Sequence, residues 1–201
     1  FEGRRREKNA DDGLRRLQEH VDTLLVIPND KLTSMCDETV TADTAFKMAD
    51  EVLRQGVQSI AELVTTPGEI NLDFADVKTI MTGAGPAWMS IGAAQGENRA
   101  IEAAQNAINS PMLDVSIEGA RGVLFNITGG TDMTLKEVQQ AADVISRAVD
   151  PEANIIFGMV TDMKMVEEVR VTIIATGLPT IESANLPDDG IAEILRGAFG
   201  E

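Results

Sequence analysis

Cysteine is all but absent: Cys36 stands alone in 201 residues. A single thiol forms no intrachain disulfide, which fits a reducing compartment. Histidine is equally scarce, with His20 the only one, so no histidine–cysteine set exists to activate the thiol or hold a zinc ion. Aromatic residues make up 3%, with Trp88 the only tryptophan and no tyrosine, leaving little on which nucleic-acid bases would stack. Bases are outnumbered, 17 against 33 acids, for a net charge of −16. That excess repels a phosphate backbone and favours basic partners or cations. No apolar run reaches the ~18 residues of a membrane span, and no signal-peptide pattern opens the chain.

What remains is the composition of an ordinary globular chain, 43% hydrophobic and 25% charged, long enough for one domain or two small ones. Apolar spacing through Leu14 and Leu17 predicts a helix over 4–20 despite Gly13. The run 21–27 is continuous and apolar, stopped by Pro28-Asn29-Asp30, and reads as a parallel strand buried on both faces. Over 41–64 the residues Ala45, Met48, Ala49, Val52, Leu53, Val57, Ile60 and Leu63 follow the 3.6-residue period. They predict a helix of ~22 residues, ~33 Å long. A short helix is expected over 74–82, ended by Gly83-Ala84-Gly85-Pro86. Strands at 87–94, 121–128, 154–160 and 169–175 then alternate with helices at 98–109 and 134–149, the latter with Thr134 and Glu137 in capping-box spacing. That order implies a four-stranded sheet with helices packed on it. Residues 179–201 read as a flexible tail. Gly129-Gly130-Thr131 lacks the lysine and hydroxyl ending of a phosphate loop and serves as a strand-to-helix connection.

The stretch 65–77 carries the most chemistry. Pro67-Gly68 makes a turn, and Asp73 and Asp76 follow at i, i+3 spacing with Asn71 just ahead. Such spacing points both acids the same way at a helix start. The spacing by itself favours capping the helix and matching its dipole; holding a water or metal between two carboxylates is the second reading and needs support from elsewhere.

The run Asn71-Leu72-Asp73-Phe74-Ala75-Asp76-Val77 resembles the synergy loop of FtsZ, the bacterial tubulin-like cell-division GTPase. Phe1-Glu2-Gly3 with Arg4 to Arg6, Val26-Ile27-Pro28-Asn29-Asp30, the run 122–130 and the run 171–177 match the same family, in its order, over residues 1 to about 178. The resemblance implies an α/β architecture. Residues 1–40 would be the end of a Rossmann-like GTP-binding domain and 41–64 the central helix. The synergy loop and short helix would occupy 65–82, and the C-terminal α/β domain 83–178. It also implies roles: Glu2, Arg6, Asn29, Phe46 and Asp50 in GTP or GDP binding, and Asp73, Asp76 and Asn71 in catalysis. Phe46 would stack on guanine, and Asp50 would accept from its N1–H and N2–H₂, donors that adenine lacks. Mg²⁺ with the nucleotide, and K⁺ near the loop, follow from the family; no metal-ligand cluster is readable in the residues.

The family's glycine-rich nucleotide loop would lie before Phe1, and without it a triphosphate loses the amides that hold it. The expectation is therefore the central and C-terminal part of a GTP-hydrolysing protein. It would polymerise head-to-tail with itself at the cytoplasmic mid-cell division site and meet other division proteins, with no nucleic acid and no membrane insertion. The second expectation is a non-catalytic module that caps filament ends.

Overall fold

A computed structural model describes residues 3–27, 40–65, 74–110, 113 and 116–178. Five helices are described: α1 (Arg4–Gln18), α2 (Ala42–Thr65), α3 (Phe74–Met81), α4 (Arg99–Ile108) and α5 (Leu135–Ala148). The strands are β1 (Thr23–Leu25), β2 (Gly85–Gln95), β3 (Gly122–Gly129), β4 (Asn154–Thr161) and β5 (Glu168–Thr176). They form one sheet in the order β1-β2-β5-β3-β4. β5 runs antiparallel to both neighbours, whereas the β1–β2 and β3–β4 pairs are parallel. The tail at 179–201 lies outside the described residues.

Alternation along the strands divides the core in two, because successive side chains leave a strand on opposite faces. Val123, Phe125 and Ile127 of β3, with Val169, Val171, Ile173 and Ala175 of β5, meet α4 and α5 on one face. Leu124 and Ile174 point the other way and join Val77 and Ile80 of α3, with Ala49, Val52 and Ile60 of α2 packed alongside. The buried apolar residues of α4 are alanines, Ala100, Ala103, Ala104 and Ala107, at helical spacing. That lets its backbone approach β2 so closely that a Cβ on Gly92 would lie 2.2 Å from the Ala103 carbonyl oxygen. At α5 the Thr134 hydroxyl accepts from the Glu137 amide, and the Glu137 carboxylate accepts from the Thr134 amide. This is the expected capping box.

The four expected strands, β2 to β5, are joined by a fifth, β1. The segment expected to be a strand buried on both faces forms only the three-residue β1, half-buried throughout. It extends the sheet by parallel pairing of Thr23 to Gly85 and Leu25 to Ala87. At an edge its length is set by the few residues that find a register partner, not by its apolar run. Val21 and Val26 on either side remain exposed.

Candidate active site

Asp76 lies in the first turn of α3 and is half-buried. Its neighbour Val77 and, one turn on, Ile80 are buried against the sheet at 5% exposure each. The helix is thus anchored by one apolar face, with Asp76 at its flank. A carboxylate in a first turn also favours the helix dipole. Asp73 and Asn71 lie outside the described residues, as do Glu2 and Asn29.

Phe46 and Asp50 sit one turn apart near the start of α2. Phe46 is 57% exposed, unusual for a large aromatic ring, and Asp50 is exposed beside it in sequence. The other described acids of this half of the helix are engaged. Asp43 accepts from Lys47 at 2.6 Å. Glu51 takes the Arg54 guanidinium and, at 2.6 Å, the Gln55 amide; these hydrogen bonds, that of Arg54 foremost, hold its carboxyl at about 2. Among the described residues Asp50 makes no such bond. Arg6 stands exposed in the first turn of α1. His20 is exposed as well.

α2 keeps these groups apart. With 24 residues at ~1.5 Å each it is ~36 Å long, Phe46 near one end and Thr65, where the acidic stretch begins, at the other. Between them α2 and the sheet enclose a cleft of about 320 Å³, lined by Gln55, Ser59, Thr128, Asp162, Arg170 and Thr172. The Ser59 hydroxyl reaches Thr172 across it at 3.3 Å. Among the described residues no three His, Cys, Asp or Glu side chains converge as a metal site would require.

One charged group in the structure was not singled out in the sequence. Arg99, with 7% of its side chain exposed, donates to Glu137 at 2.8 Å and to Asp132 at 2.6 Å. The available signal was its place as the first residue of a helix, where a cation is disfavoured unless acids lie close.

This architecture is shared. CetZ proteins of Haloferax volcanii have the same fold: a GDP-bound monomer matches with TM-score 0.68 and 20% identity over 98% of this chain and 56% of that one. A GTPγS-bound protofilament matches with TM-score 0.64 and 16% identity over 95% and 57%. The molecule therefore has their α/β fold. Residues 85–179 match the model of the FtsZ family, C-terminal domain. FtsZ of M. jannaschii, described as an empty dimer, is similar at 46% identity and TM-score 0.81 over 85% of this chain and 49% of its own. The chain belongs to the FtsZ family and carries its C-terminal domain. It spans about half the length of the FtsZ structures it matches.

Proposed function

We propose that this chain is the part of a GTP-hydrolysing, self-assembling protein that completes the active site of the next subunit in a filament. The observation that carries the reading is the pairing of family membership with the placement of Asp76. The acid lies in the first turn of a helix packed on the sheet, and in the chain it follows the end of α2 opposite to Phe46 and Asp50. A head-to-tail contact, which does not close on itself and so builds filaments, brings the acidic end of one copy to the nucleotide of another. Neighbours titled as a dimer and a protofilament support self-association. Neighbours bound to GDP and GTPγS support a guanine nucleotide.

In this mechanism Phe46 offers a ring face to the base, and the unengaged Asp50 accepts from guanine's two edge donors. Glu2 contacts the ribose, Arg6 the ribose or phosphates, and Asn29 the base edge. Asp73 and Asp76 orient and polarise the attacking water, and Asn71 steadies it or the phosphates. Positioning supplies most of the rate, since phosphoryl transfer asks little covalent chemistry of the protein. A divalent ion held with the nucleotide would neutralise developing phosphate charge. Within the chain, residues 1–40 belong to the nucleotide-binding half, 41–64 to the central helix, 65–82 to the acidic loop and its helix, and 83–178 to the C-terminal domain. By family, the setting is the cytoplasm at the mid-cell division site.

The test is complementation. A full-length FtsZ whose own acids aligned with Asp73 and Asp76 are alanines is loaded with GTP and mixed with this chain. Turnover should return with this chain and fall on the order of 10²-fold with its Asp76→Ala variant, the scale of a lost proton-handling or water-positioning group. Equal turnover with Asp76→Ala would refute the catalytic role. Inhibited assembly of wild-type FtsZ without turnover would favour a filament-capping module.

A further inference from the structure

α3 is eight residues long, too short to hold its own position in water. Burial of Val77 and Ile80 decides which face turns inward, but apolar contact is non-directional and does not index the helix along its axis. The index is supplied at its C-terminal end. The Thr23 hydroxyl donates to the carbonyl of Met81, the last helical residue. The Asp22 carboxylate accepts from the amide of Gly83 at 3.1 Å. The Asp22 carbonyl accepts from the amide of Gly85 at 2.9 Å. Gly83 and Gly85 both have left-handed backbones, at φ 62° and 70°, which turn the chain from α3 into β2 and present these amides to Asp22. Two consecutive residues thus hold a carbonyl at the end of the helix, which otherwise accepts only a long 3.4 Å bond from the Ala84 amide, and two turn amides, all about 60 positions away along the chain. Since Thr23 also pairs with Gly85 in the parallel ladder, the register of β1 and the position of α3 are a single quantity.

We propose that Asp22 and Thr23 are positioning residues for Asp76. Hydrogen bonds are directional where packing is not, so their loss lets α3 slide or tilt over its buried face while the fold stays intact. At ~1.5 Å per residue Asp76 lies only ~8 Å up the helix from Met81, and a displacement of the order of 1 Å at a reacting group lowers turnover steeply. This rests on the reading of Asp76 as a catalytic group, and the test separates the two.

In the complementation assay, Asp22→Ala and Thr23→Val should lower the maximal rate at least fivefold. The concentration of chain giving half-maximal turnover and the urea midpoint should stay as in the wild type. Asp22→Asn keeps the acceptor and Thr23→Ser the donor, so both should remain within twofold of the wild-type rate. Wild-type rates in Asp22→Ala and Thr23→Val would overturn the proposal. So would a loss seen only in half-saturation or left unrescued by the conservative pair. If the wild-type chain restores no turnover, the catalytic reading falls by itself, and hydrogen exchange at the amides of Lys78, Ile80 and Met81 decides the tie. Faster exchange in Asp22→Ala and Thr23→Val than in Asp22→Asn and Thr23→Ser supports it, and equal exchange in all four overturns it.

Discussion

Arg99 stands where a helix dipole repels a cation, and its side chain is almost wholly buried. Both costs are met by Glu137 and Asp132, which join the start of α4 to the start of α5 and the turn before it. Burial alone would push the Glu137 carboxyl up; the Arg99 guanidinium and the amide and hydroxyl of Thr134 outweigh that and hold it at about 2, against an ordinary 4.5. A carboxyl depressed in the folded state stabilises fully above its unfolded value and loses that contribution as pH falls. The window here runs from about 4.5 down to about 2. The contribution is on the order of 3 kcal/mol. Urea midpoints at pH 6 and pH 3 should therefore differ more in the wild type than in Glu137→Gln; equal differences would refute the linkage. Removing the cation is harsher, because it strands a buried acid: Arg99→Ala should lose about 3–5 kcal/mol at pH 7. Gly92 tests packing at the same scale. A methyl group there meets the backbone of α4, which cannot rotate away, so Gly92→Ala should lower stability by about 1–3 kcal/mol. Unchanged urea midpoints in these two variants would mean that α4 is less firmly seated.

Among the elements, α5 shows what local pattern can specify. Thr134 and Glu137 mark its start in the sequence and close the capping box in the structure. Thr134→Ala should cost about 1 kcal/mol, read as a fall in the urea midpoint, whereas Thr134→Ser should be close to neutral. β2 to β5 were equally legible, since short apolar runs bounded by turn residues read as buried strands, and β3 and β5 are covered on both faces. β1 was not: a three-residue edge strand exists only through its partner, and nothing in Val21 to Ile27 says that Gly85 to Ala87 will lie beside it. The candidate site divides in the same way. Phe46, Asp50 and Asp76 were named by resemblance, because their spacing suits caps and surface acids just as well. The ties of Arg99 to Glu137 and of Thr23 to Met81 join residues 38 and 58 apart, beyond the reach of any local period.

For the whole molecule the dominant electrostatic fact is the charge of −16. Self-repulsion at that level opposes the compact state, and salt relieves it by cutting the Debye length from about 30 Å at 0.01 M to about 8 Å at 0.15 M. The thermal midpoint should rise across that range; a flat or falling midpoint would mean that the surface ion pairs, such as Asp43 with Lys47, outweigh the excess. The sheet order has a consequence of another kind. β5, last of the described strands, lies between β2 and β3. While the chain is being synthesised, β3 and β4 can pair as soon as they emerge, but β2 has no neighbour on that side until residues 168–176 follow. At ~5–20 residues per second, the nascent protein carries an open, apolar strand edge on the ribosome for several seconds, and its sheet closes only when the final strand slots in from the middle.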